Sequence, residues 1–234
     1  DFGLVAWYPF DGNASDMSGN GNNGTVYGAS LGTDRHGQAD MAYQFDGIND
    51  WIDVGGPSSL TNGENQTISV WVKGVGDGPA YWNDDTQAGG DMKLILLDDQ
   101  KVRFGVHSHN SRTSSFNFYS EDSLDPTEWA QLVVTISNGL DYKLYVNGII
   151  SSTYTDADSI KHDNRTDISI GGATHGNHGF FNGSIDEVRH YVRTLSDTEV
   201  KALYELEKPK EINLSLGLVA YYPFDGNASD MSGN

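Results

Sequence analysis

Apolar and polar residues alternate with a period of two over much of this chain. In TISVWVK, Ile68, Val70 and Val72 fall on one side, and Ser69, Trp71 and Lys73 on the other. WAQLVVTI does the same with Ala130, Leu132, Val134 and Ile136, and DYKLYV with Tyr142, Leu144 and Val146. That period belongs to a strand with one buried face. Asn147-Gly148 follows directly, a pair that tolerates the positive φ of a two-residue hairpin turn. LVAWYPF, MAYQF, WIDVG, MKLILL, KVRFGV, SSFNFY, DISIGG and GSIDEVRHYV are further strand segments, set apart by Gly, Asn and Asp. Many short strands punctuated in this way predict an all-β sandwich. A helical period shows in LSDTEVKALYELEKP, where Ser196 and Glu199 form a capping box. Val200, Leu203 and Tyr204 share one face and Pro209 ends the run. The expectation is one short C-terminal helix packed on an edge of the sandwich.

A longer pattern crosses the whole chain. GLVAWYPFDGNASDMSGN at residues 3–20 returns as GLVAYYPFDGNASDMSGN at 217–234, with Tyr221 replacing Trp7. The offset, 217 − 3 = 214, exceeds a solenoid repeat of roughly 20–50 residues and is the length of a domain. The organisation that follows is a domain over 1–208, a linker over 209–216, and the first strand of a next tandem repeat over 217–234. A short motif duplicated within one fold is the alternative.

Charge narrows the partners. With 33 acidic against 14 basic residues the formal net charge is −19, which disfavours nucleic acid and anionic membrane. The acidity is also explained by solubility alone. No apolar run is long enough to span a bilayer, so no membrane insertion is expected. The chain has no Cys, which rules out disulfides and thiolate metal sites.

The segments LVAWYPFDGNASDMSGNGNNGTV, YQFDGINDWIDVG, TISVWVK, YVNG and GSIDEVRHYVRTLSDTEVKALY occur in this order. The set resembles the laminin-G-like jelly-roll domain of the concanavalin A-like lectin and glucanase superfamily, over residues 3–204. The resemblance implies a two-sheet antiparallel jelly roll with its first and last strands adjacent. It also implies an accessory module of a large secreted or cell-surface bacterial protein, such as an adhesin or a glycan-degrading enzyme. Such modules bind carbohydrate or protein, or space other domains, and many carry calcium. Because residues 217–226 nearly duplicate the first strand, they fit the slot beside the last one. They are expected to sit on their own sheet edge or to be captured by another molecule through strand exchange.

Two candidate sites follow. DGNASDMSGNGNNG supplies Asp11, Asp16, Asn20 and Asn23 in a Gly-rich loop, and calcium takes 6–8 oxygen ligands of this kind. The loop is no EF-hand, since Asp16 stands where that motif needs Gly and Asn22 where it needs Glu. By resemblance Asp186 is an added carboxylate. The alternative is that Asp, Asn and Gly simply make turns here, as Asp46, Asn49 and Asp50 are expected to do. The second candidate is a carbohydrate or cell-surface ligand site on loops that carry Tyr81, Trp82, Asp84, His107, His109, Arg112, His175 and His178. Aromatic rings stack on sugar C–H faces, and the polar groups bond hydroxyls. The His pairs also suit a transition metal, and plain solvated loops remain the alternative.

No catalytic motif is present. Retaining glycosidases hold two carboxylates about 5–5.5 Å apart, and the adjacent Asp186 and Glu187 are expected on opposite strand faces. The reading is therefore non-catalytic: a calcium-stabilised binding module present in tandem. The alternatives are a structural spacer or an accessory carbohydrate-binding module of a polysaccharide-degrading enzyme.

Overall fold

A computed structural model describes residues 2–56, 64–75, 78–85, 90–97, 99–108, 115–156, 167–172, 179–210, 219–222 and 229–232, apart from the side chains at 84, 85, 90, 91, 107 and 108. Two antiparallel sheets face each other as a jelly-roll sandwich. The first contains β1 (Leu4–Tyr8), β3 (Ser30–Gly32), β4 (Ala42–Asp46), β6 (Gln66–Val75), β11 (Ala130–Ser137), β12 (Asp141–Val146), β13 (Ile149–Thr155) and β15 (Asn182–Tyr191). Its order is β13-β12-β11-β6-β15-β4-β3, with β1 added against β15. The second contains β2 (Thr25–Tyr27), β5 (Trp51–Gly55), β7 (Gly78–Asp85), β8 (Gly90–Leu96), β9 (Val102–Ser108), β10 (Phe116–Tyr119) and β14 (Asp167–Ile170), in the order β10-β9-β8-β7-β14-β5-β2.

The alternation read from the sequence sets what lies between the sheets. Ile68, Val70, Val72, Leu132, Val134, Ile136, Tyr142 and Leu144 from the first sheet meet Ile52, Leu94, Phe104, Ile168 and Ile170 from the second in one buried cluster. Removing this much apolar surface from water is the main driving force of the fold. The hairpin at Asn147-Gly148 forms as expected, with φ of 51° and 75°. Gly148 is required twice over, because a Cβ there would lie 2.8 Å from the Cβ of Tyr204. The first and last strands pair, with Trp7 opposite Arg189 and Tyr8 opposite Val188.

Helix α1 (Asp197–Glu207) has the expected capping box at Ser196 and Glu199. It does not pack on an edge. Val200 and Leu203 join Val133, Tyr145, Tyr191 and Leu195 on the outer face of the first sheet, because β11, β12 and β15 carry apolar residues on both faces. Ser196→Ala should lower stability by about 1 kcal/mol by orphaning the first-turn donors. Urea denaturation would show it, and an unchanged midpoint would mean that the cap contributes nothing.

Candidate functional site

The outer face of the second sheet carries no described helix, and its register can be read across all seven strands. Thr25 pairs with Asp53, Asp53 with Ser169, Ser169 with Trp82, Trp82 with Lys93, Lys93 with Gly105, and Gly105 with Asn117. Alternate positions point into the core, so this polar row, interrupted by one Trp, lies outside. A second row runs Asp167, Asp84, Asp91 and His107. In the centre Trp82 is buried and lies under Lys93, whose ammonium is 4.1 Å from the ring centroid.

Aromatic rings sit at both flanks. On one side Tyr27 and Trp51 pair across β2 and β5 and stack with centroids 4.2 Å apart and planes 7° from parallel. Tyr27 is 44% exposed and Trp51 half-buried. Phe180 stands beside them, since a Cβ on Gly172 would meet both Phe180 and Trp51 within 3 Å. On the other side, Tyr119 is 45% exposed and pairs with Arg103. Flat rings flanked by Asp53, Arg103 and Asn117 match the chemistry of a shallow polar-aromatic surface.

The residues expected to bind ligand divide over this frame. Tyr81 is corrected: it is a core residue, its hydroxyl 2.9 Å from Nδ1 of the buried His190. The stretches expected as loops around residues 81 and 107 are the strands β7 and β9. Trp82, Asp84 and His107 are brought onto neighbouring register positions of the outer face, but Trp82 is covered rather than displayed. His109, Arg112, His175 and His178 lie outside the described residues. Tyr27 and Trp51 were missed, because nothing in the sequence tells which residue of one strand faces which of another.

Four of the expected calcium ligands, Asp16, Asn20, Asn23 and Asp186, are engaged in other contacts. Asp16 accepts from the backbone N–H of Trp7, Ser18 and Asn22 and from the Ser18 hydroxyl, at 2.8–3.0 Å. Although burial raises its pKa, these bonds hold the carboxyl below its ordinary value. The Asn23 amide oxygen accepts from the Asp16 N–H, and the Asn20 amide donates to the carbonyl of Val5. The loop thus caps the free edge of β1, which would otherwise present unpaired backbone groups. Asp186 instead meets Arg35. Among the described residues, no group of three or more His, Asp or Glu side chains is placed to hold a metal ion. Asp34, Asp46 and Asp50 also accept backbone N–H bonds in turns, and Asp53 accepts one from Gly55 within β5.

Asp186 and Glu187 are not on opposite faces. The register slips between Asp186 and Arg189, and Glu187 takes φ of 49°. This bulge turns both carboxylates toward Arg35, with Glu187 3.4 Å from its guanidinium. Glu187 also accepts from the Trp7 indole at 2.7 Å and pairs with Arg189 at 3.0 Å. Arg189 reaches Glu207 at 2.7 Å, and Glu207 accepts from Trp71 and Gln131. Arg35 donates to the Glu207 backbone carbonyl at 2.6 Å. The cluster locks α1 onto the first sheet, with the Asp186 and Glu207 side chains buried.

A family described as the concanavalin A-like lectin/glucanases superfamily matches residues 46–201. No curated protein sequence matches the chain. Among solved structures, domain 4 of AbnA, a GH43 extracellular arabinanase from Geobacillus stearothermophilus in complex with arabinotriose, superposes with a TM-score of 0.71 at 20% identity, over 86% of this chain and 98% of that one. The binding domain of Paraclostridial Mosquitocidal Protein 1 gives 0.68 at 20% identity, over 86% and 51%. The botulinum neurotoxin serotype D ligand binding domain in complex with N-acetylneuraminic acid gives 0.65 at 19% identity, over 88% and 51%. The chain spans about half the length of these two toxin domains.

Proposed function

Because the chain belongs to the concanavalin A-like lectin/glucanase superfamily, we propose that it is a non-catalytic carbohydrate-binding module of an extracellular or cell-surface protein. The observation that carries this reading is the stacked, solvent-facing Tyr27–Trp51 pair on the sheet face that no described helix covers. Such a ring surface offers a planar apolar platform to the C–H face of a sugar, and Asp53 and Thr25 beside it offer hydroxyl partners. The ligands named for two structural neighbours, arabinotriose and N-acetylneuraminic acid, are suitable first probes.

Trp51→Ala should weaken glycan binding about tenfold or more, the equivalent of losing roughly 1.4 kcal/mol. The fold should persist, since Trp51 lies outside the main core cluster. Isothermal titration checks this, and an unchanged Kd would remove the aromatic pair from the site. The near repeat of 18 residues favours a second reading, a spacer in a tandem array with no ligand of its own. Failure of the intact chain to bind any glycan would support it.

A further inference from the structure

The second copy of the opening motif repeats the local structure of the first. Tyr221 N–H donates to Asp230 at 2.8 Å, as Trp7 N–H does to Asp16 at 3.0 Å. Ser232 donates to Asp230 through its N–H and its hydroxyl, as Ser18 does to Asp16. Met231 N–H donates to the Tyr221 carbonyl as Met17 N–H does to Trp7. These bonds therefore form again in a segment whose described residues carry no strand. The surroundings differ: Tyr8 is 2% exposed and Tyr222 47%. The described residues of the second copy belong to neither sheet.

We propose that this second copy is an alternative first strand for the same slot, exchanging with Leu4–Tyr8 beside β15 of its own chain. Side-chain fit comes first. Ala220 and Tyr222 reproduce the buried Ala6 and Tyr8. Tyr221 replaces Trp7, whose ring lies 4.5 Å from the Arg189 guanidinium and whose indole donates to Glu187. A phenol keeps both properties, a ring face for the cation and an O–H for the carboxylate.

Reach comes second. The chain leaves α1 at Glu207, whose carboxylate is 2.7 Å from Arg189, the strand partner of Trp7. Between Glu207 and Tyr221 there are 221 − 207 = 14 steps, a span of up to about 45 Å when extended. The alternative strand is thus tethered next to its slot, at an effective concentration on the order of millimolar. The edge cap arrives with it, because Asp230 already holds Tyr221 as Asp16 holds Trp7.

The test uses the full chain with Ala6→Asp, Ala220→Asp and both together. A charge at position 6 is incompatible with the buried slot, so it should eject the first copy and admit the second. Ala6→Asp should melt close to the wild type, and amide-exchange protection should move from residues 4–8 to 218–222. Ala220→Asp should melt like the wild type, and the double variant should melt far lower or not fold. Equal stabilities of Ala6→Asp and the double variant, or unprotected residues 218–222 in Ala6→Asp, would overturn the proposal.

Discussion

Arg189→Ala should destabilise the domain by about 3–5 kcal/mol, the range for removing one partner of a buried ion pair. Arg189 faces Glu187 and Glu207 at 3.0 and 2.7 Å, and all three are largely withdrawn from water. Its loss would leave the three carboxylates of Asp186, Glu187 and Glu207 against Arg35 alone. It would also remove the cation from the Trp7 ring, which seats β1. One substitution thereby loosens both the first strand and the helix. Equilibrium denaturation in urea gives the number, and a loss below about 1 kcal/mol, the ordinary worth of an exposed pair, would mean that the cluster does not hold these elements. Arg189→Met, which keeps much of the stem's packing, separates lost contact from lost charge.

Asp186→Asn should change how stability depends on pH. The cluster sets three carboxylates, on Asp186, Glu187 and Glu207, against two guanidiniums, with Asp11 and Asp34 nearby. Burial, with the neighbouring carboxylates adding to it against the opposing pull of Arg35, pushes Asp186 up to about 7. The folded state then keeps a proton that the unfolded chain loses near pH 4, so this group makes stability fall as pH rises from about 4 to 7. His190 acts in the other direction. Burial against Tyr81 lowers it to about 4, so its contribution is present above about 6.5 and is lost as pH falls toward 4. The two oppose each other between about pH 4 and 6.5, and the wild-type profile should be shallow there. With Asp186→Asn one group opposing the histidine is removed, while Glu207, also raised by burial, still opposes it. Stability should then rise with pH more steeply than in the wild type, by at most about 1.4 kcal/mol for each unit over which only the unfolded histidine is protonated. Melting temperatures from pH 4 to 7 measure it, and a flat profile in the variant would show that the two groups are not the opposing pair.

The sandwich was legible because its signal is local and periodic. Ile68, Val70 and Val72 alternate in the sequence and alternate in space. Ser196 and Glu199 meet within one turn, and Asn147-Gly148 needs no distant partner. What was not legible depends on contacts between distant segments. Tyr81 reads as a loop aromatic until β7 is laid against β14 and its ring is found under His190. Asp186 and Glu187 read as opposed until the bulge in β15 turns them together, and no adjacent-residue rule announces a bulge. Tyr27 and Trp51 become a platform only through the pairing of β2 with β5. The Asp-rich loop reads equally as an ion site or as a set of turns. In the structure Asp16 accepts from Trp7, Ser18 and Asn22 as a turn residue does, and Asp230 repeats the bonds to Tyr221 and Ser232.

The carbohydrate site is placed at the exposed Tyr27–Trp51 flank of the second sheet's outer face, and one paired glycan array decides it. The wild-type chain and the Tyr27→Ala/Trp51→Ala variant would be probed side by side at equal concentration. The wild type should bind a defined class of glycans, and the variant, folded and melting near the wild-type temperature, should lose that binding. An array silent for both proteins, or one on which the variant binds the same glycans as strongly, would contradict it.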